Sequence, residues 1–140
     1  MKIEQFEDIK AWQLARELTQ KIYRLTKGSK FSRDYGLKDQ IQRAAGSAMH
    51  NIAEGFDAES NMEFIRFLRY AKRSCTEVQS QLYMALDQEY ITDVEFKEIY
   101  KQTSHTRATI RGFINYLTNY EKQKKRSKFN VQSSKLTDQT

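Results

Sequence analysis

Five polar residues between positions 40 and 54 recur at spacings of three and four: Gln40, Arg43, Ser47, Asn51 and Glu54. On an α-helix that spacing sets an amide, a guanidinium, a hydroxyl and a carboxylate in one row. Two uses fit such a row. It is either a polar flank solvated at the edge of a helical core, or a subunit interface whose groups pair with counterparts on another chain and set its register. A second set of chemically useful residues is cationic. Arg66, Arg69 and Arg73 fall on one side of a helix-patterned stretch, Lys97, Lys101, Arg107 and Arg111 recur along the next, and Lys122, Lys124, Lys125, Arg126 and Lys128 follow in quick succession. Cations so spaced can displace counterions from a phosphate backbone, although the ordinary use of such rows is solvated surface. Arg73 also has a possible partner in Glu77 one turn on, a contact worth roughly half a kcal/mol or less.

Catalysis and metal binding need groups that converge, and the sequence offers few. His50 and His105 lie on different predicted helices with neither Glu-x-x-His nor His-x-x-x-His spacing, so the paired carboxylate and histidine ligands of di-metal bundles are missing. No glycine-rich phosphate loop occurs, since Gly46 and Gly55 are isolated. Ser47 and Ser74 have no base in a triad-like arrangement, and Cys75 sits in an apolar helical pattern as a small hydrophobe. The expectation is a protein that binds, without catalytic residues, metal or cofactor.

The elements that must position these residues are helices. The chain has no proline and five glycines in 140 residues, 39% apolar and 30% charged, which leaves little to interrupt a helix. A first helix is predicted from about Asp8, as cap, to Thr26, burying Ile9, Trp12, Ala15, Leu18, Ile22 and Leu25. A second enters at Ser32 or Tyr35 and buries Leu37, Ile41, Ala44, Ala45, Ala48, Ile52 and Phe56. Its very small centre, Ala44 to Ala48, invites close approach of another backbone, and Gly55 stands where a left-handed terminating residue would serve. Ser60-Asn61-Met62-Glu63 is a capping box for a third helix running to about Gln88, with Phe64, Leu68, Ala71, Cys75, Val78, Leu82 and Ala85 as its seam. Thr92-Asp93-Val94-Glu95 opens a fourth, whose buried side carries Phe96, Ile99, Thr103, Thr106, Ile110, Phe113, Leu117 and Tyr120. Four helices on short connections must alternate direction, so the fold class is an all-α, up-down-up-down antiparallel four-helix bundle. Eight tyrosines and eight phenylalanines mostly fit these seams and call for no stacking role.

Composition changes after Tyr120. From Glu121 to Thr140 there are six Lys or Arg and two acids, a net of +4 within the whole-chain +6. A bundle domain is therefore expected over residues 1–121, with a basic, polar and disordered tail over 122–140. The acidic start, Met1 to Asp8, does not look like a secretion signal. No window of about 18 uncharged apolar residues is long enough to span a membrane. A lone cysteine suits a reducing cytoplasm.

The run from Gln40 to Phe56, QIQRAAGSAMHNIAEGF, resembles the signature segment of the bacterial four-helix bundle family called the 23S rRNA intervening-sequence proteins. The similarity covers roughly residues 3 to 120 and includes Phe6, Trp12, Tyr35-Gly36-Leu37, Ala71, Ser74, Glu77, Gln81 and Leu82, with the family's Asn-Ile-Ala-Glu-Gly at Asn51 to Gly55. The family usually has an aliphatic residue and a proline where Ala48 and Met49 stand here. It has glycine where Arg73 stands, and another before Tyr90-Ile91 where Glu89 stands. The resemblance implies a ring-like homo-oligomer, a pentamer in particular, and so favours the interface reading of the polar row. It also implies an rRNA setting. The chain is similar as well to the accessory protein of diversity-generating retroelements, a bundle that partners a reverse transcriptase and RNA.

Two classes of function follow from these readings. One is a bacterial, cytoplasmic accessory protein associated with rRNA or another structured RNA, its basic residues contacting phosphate and its copies adding avidity. The other is a protein-interaction scaffold without a nucleic-acid ligand, whose tail is a solubilising end. An enzyme with an unrecognised pocket is a distant third.

Overall fold

A helix starts most readily where a side chain can satisfy its orphan amides. Three of the four starts show that device. The computed structural model describes the backbone of residues 2–138 and the side chains of residues 2–133. Within them lie α1 (Lys10–Leu25), α2 (Tyr35–Phe56), α3 (Asn61–Asp87) and α4 (Asp93–Asp138), with single 3-10 turns at Phe6–Asp8 and Phe31–Arg33. No strand occurs among the described residues. α1 packs on α2, α2 on α3 and α3 on α4, and α1 closes against α4, which is the antiparallel four-helix bundle the periodicity predicts.

At α3 the Ser60 hydroxyl accepts from Glu63 N at 3.2 Å. At α4 the box is complete: Thr92 Oγ1 accepts from Glu95 N at 3.1 Å while Glu95 Oε1 accepts from Thr92 N at 2.9 Å. α2 starts at Tyr35, one of the two predicted entries, and its cap is the residue before it. That residue, Asp34, accepts from Leu37 N at 3.1 Å with one oxygen and from the Tyr90 hydroxyl at 3.0 Å with the other, so the α2 entry is tied to the α3–α4 connection. Asp8 does not cap α1. Ile9 holds that position in extended conformation without a side-chain cap, and the Asp8 carboxylate turns back to accept from Glu4 N and Gln5 N, closing the Phe6–Asp8 turn.

The expected left-handed residue also moves. α2 ends at Asp57 with φ −79, and Gly55 lies inside the helix. A Cβ on Gly55 would stand 2.8 Å from Phe64 Cδ1 and 2.9 Å from Phe67 Cβ, so this glycine is required by the close crossing of α2 and α3. The left-handed residue is Glu89, φ 60. It sits just past the end of α3, where Glu89 N donates to Leu86 O and Tyr90 N to Ala85 O, both at 2.9 Å. That pair of bonds is a Schellman motif, and its left-handed position suits glycine.

The core has two parts. Near the α1 N-terminus, Trp12, Ala48, Ile52, Phe64, Leu68, Cys75 and Ile110 pack together; toward the other end, Leu18, Ile22, Phe31, Ile41, Val78, Leu82 and Ile99 do so. The predicted stripes are largely buried, with corrections at helix ends. Leu25, Phe56, Phe96 and Phe113 are half-buried. On α4 the stripe passes through buried Ile114, and Tyr120 is exposed, because α4 there outruns the bundle. Thr103 and Thr106 lie in the core with their hydroxyls bonded back to Ile99 O and Gln102 O. The basic segment, expected to be disordered, continues α4 as helix to Asp138, extending roughly 25 Å past Glu121. Its side chains from Lys122 to Ser133 are exposed; residues 139 and 140 lie outside the described backbone.

Candidate nucleic-acid interface and polar face

On α2 the polar row faces away from the core. Gln40, Arg43 and Glu54 are exposed and Ser47 and Asn51 half-buried. The two half-buried members are engaged within the chain. Asn51 Nδ2 donates to Ser47 O at 2.8 Å and to Ser47 Oγ at 3.0 Å, and the Ser74 hydroxyl of α3 donates to Ser47 Oγ at 3.0 Å. Ser74, read in sequence only as helix packing, thus pins α2 to α3. Gly46 lacks a side chain, and beside it Arg43, Ser47, His50, Asn51, Glu54 and Tyr23 line an open cavity of about 600 Å³. Among the described residues the ion pairs are Lys21 with Glu98 and Arg66 with Glu63, so neither Arg43 nor Glu54 is in an ion pair there, although Asp39 lines the same cavity. Nearby on α3, Gln81 is buried; its Nε2 donates to Glu77 at 3.3 Å while its Oε1 has no donor. The row therefore divides into an internal clamp and an outer set of unpaired charges.

The predicted cations are not one patch. Arg66, Arg69 and Arg73 are exposed on the outer side of α3, but they serve different neighbours. Arg66 pairs with Glu63 at 2.9 Å and lies over the Phe67 and Tyr70 rings, and Arg73 lies over Tyr70 at 6.0 Å without an ion pair to Glu77. Arg69 faces α4. There it shares a cleft of about 170 Å³ with Thr118, Lys122 and Lys125, whose edge holds Glu121, bound by Asn61 Nδ2 at 2.9 Å. Lys124 lies on another side of α4, in a cavity with Glu59, Phe56 and Phe64. Arg126 and Lys128 are exposed on the projecting part of α4, and Lys97 and Lys101 are exposed near its start.

The α3–α4 contact arranges the rest. Gln79 Nε2 donates to Ser104 Oγ at 2.7 Å and Arg107 Nε to Thr76 Oγ1 at 3.1 Å, which fixes the antiparallel register of the two helices. One turn along come Lys72 on α3 and Arg111 on α4; Arg69 follows within a turn of Lys72, and the cleft it shares with Lys122 and Lys125 lies about three turns past Arg111 on α4. The facing stripes are thus Arg69, Lys72, Thr76, Gln79 and Tyr83 on α3 and Tyr100, Ser104, Arg107, Arg111, Thr118, Lys122 and Lys125 on α4. They hold six cations, and the one acid beside them is Glu121 at the edge of the cleft. Lys72 escaped the sequence reading because it is not in line with the three arginines; the acid-free α3 stripe at alternating steps of three and four would have revealed it.

Among the described residues no three of His, Cys, Asp and Glu come together in a way that could hold a metal ion. Burial pushes the Cys75 thiol up to about 12, against the opposing pull of the Arg107 guanidinium, so it is a protonated core side chain at neutral pH. Among the described residues no helix is long and apolar enough to cross a membrane.

No curated protein matches the chain. Among solved structures it is similar to a protein of unknown function from the S23 ribosomal protein family of Bacteroides thetaiotaomicron. The two share 24% identity and a TM-score of 0.70, over 74% of this chain and 97% of that one, a likeness of fold. The family described as 23S rRNA-intervening sequence protein matches residues 7–112, which takes in α1 to α3, the polar row and the first part of α4 through Arg107 and Arg111. The chain belongs to the 23S rRNA-intervening sequence protein family.

Proposed function

We propose that the protein is a non-catalytic, self-associating bundle that binds structured RNA by its phosphate backbone, in a bacterial cytoplasm. The observation that carries this reading is the α3–α4 face, where six cations align, the one carboxylate beside them, Glu121, accepts from Asn61, and none of the six is in an ion pair among the described residues. Phosphate contact needs just such an unneutralised row, and it gives positioning without base sequence. The projecting part of α4 adds Arg126 and Lys128, both exposed, for further phosphates, with Lys124 on another side of the helix. The family's rRNA description agrees with the ligand class.

Self-association, as a pentamer, rests on α2. Arg43 and Glu54 are charged, exposed and in no ion pair among the described residues, beside the clamp that joins Ser47 and Asn51. A second copy would supply partners for these groups. In a closed ring the basic face recurs once per subunit, so weak contacts combine wherever one RNA reaches several copies. Titration against structured rRNA fragments at two salt concentrations tests the RNA reading. Binding that weakens steeply with salt is expected, and no binding at low salt leaves the protein-scaffold reading in its place.

A further inference from the structure

At the end of the α3–α4 face away from the projecting helix, three aromatic rings replace the cations. Tyr83 lies 4.9 Å from Phe96 and 5.8 Å from Tyr100, and Phe96 lies 5.4 Å from Tyr100 at 32°. A seam would bury such rings. Instead Tyr83 is 51% exposed, Phe96 and Tyr100 are half-buried, and neither tyrosine hydroxyl makes a hydrogen bond among the described residues. Phe96 and Tyr100 thus form a floor and Tyr83 a rim, open to solvent. Lys97 and Lys101 follow the two floor residues on α4, both exposed.

We infer that Tyr83, Phe96 and Tyr100 are a stacking site for an unpaired nucleobase of the bound RNA, an inference that rests on the RNA reading above. Every base has a π-face, and stacking on aromatic side chains is the usual way a protein holds splayed, single-stranded bases. The lysines beside the rings suit the phosphates flanking a stacked base. The direction of the strand follows from charge. Asp87 is one turn beyond Tyr83 on α3 and Asp93 opens α4, so that end of the bundle repels phosphate, whereas Arg107 and Arg111 continue from Tyr100 the other way. An unpaired segment then runs from the rings toward Lys122, a helical distance of roughly 33 Å. Its bases contribute at one end and its phosphates along the rest.

The test compares fluorescein-labelled oligouridylate, whose bases hardly stack on one another, with an abasic oligomer of equal length. Anisotropy titrations would use the full chain and its Tyr83→Ala and Tyr83→Phe variants. Tyr83→Phe keeps the ring contacts and should keep the wild-type circular dichroism and melting temperature, whereas Tyr83→Ala loses them and should keep the circular dichroism with a somewhat lower melting temperature. Expected is a loss of tenfold or more in affinity of Tyr83→Ala for oligouridylate, with the abasic oligomer and the salt slope unaffected and Tyr83→Phe like wild type. Unchanged oligouridylate binding by Tyr83→Ala, or an equal loss for the abasic oligomer, overturns the stacking site while leaving the RNA reading in place. Failure of the wild-type chain to bind either oligomer or structured rRNA at low salt overturns both.

Discussion

Arg107 donates its Nε to the Thr76 hydroxyl at 3.1 Å, and its terminal guanidinium nitrogens make no hydrogen bond among the described residues. A long cation is therefore held by its stem on the α3–α4 face while its outer donors stay available. Fixing the side chain in advance reduces the freedom lost when a phosphate arrives. The same contact sets the register that brings Arg69 to Lys122 and Lys125.

Glu89 occupies a left-handed conformation that costs a side-chain-bearing residue about 1–2 kcal/mol. Glu89→Gly should stabilise the fold by about 1 kcal/mol, since the Schellman bonds are kept and the strain is removed. Thermal melting checks this: a rise of a few degrees is expected, and an unchanged or lower midpoint contradicts it.

Gly55→Ala should act in the opposite direction. The added methyl would press on Phe64 and Phe67 side chains at under 3.0 Å, and overpacking at a helix crossing costs about 1–3 kcal/mol. Urea unfolding should show a lower midpoint with a similar slope. A stabilised variant, as the usual preference for alanine in helices would give, contradicts the close crossing.

Cys75 should resist thiol reagents in the folded protein near pH 8 and react fully in denaturant. Its thiol is buried and raised to about 12, from an ordinary value of 9.0. The folded state thus binds a proton that the unfolded state releases above pH 9. Cys75 contributes stability below that pH and the contribution is lost as pH rises toward 12, so Cys75→Ala should flatten the alkaline decline. Rapid labelling of the native chain contradicts the burial.

How much of this was legible follows from what each feature depends on. The helices and the starts of α3 and α4 are local, and the three-four periodicity with Ser60 and Thr92 revealed them. Asp34 was missed as a cap because its second partner, Tyr90, is remote in sequence. Gly55 was misread because a backbone crossing leaves the same residue type as a left-handed turn. The basic segment looked like a tail by composition, yet Glu121 to Asp138 contains neither proline nor glycine, so nothing stops α4. The cations were visible as residue types, but which of them share a face depends on the α3–α4 register, and that is set by side-chain bonds between the helices.

Arg43→Ala should weaken self-association, because a charge removed from one side of an interface leaves its partner unpaired. Native mass spectrometry is the measurement. A pentamer is expected for the wild-type chain and for a chain truncated after Tyr120, with lower species for Arg43→Ala; a wild-type monomer at micromolar concentration contradicts the assembly.

The α3–α4 face is tested most directly by titrating structured rRNA fragments with the full-length chain, the Arg69→Glu/Arg111→Glu double variant and the chain truncated after Tyr120, each at two salt concentrations. Every phosphate contact contributes about 0.7 to 0.9 to the slope of log affinity against log salt. A steep slope is expected for the full-length chain and a loss of affinity and of slope in both altered chains, with folds intact by circular dichroism. Equal, salt-insensitive or absent binding by all three would contradict phosphate binding by this face.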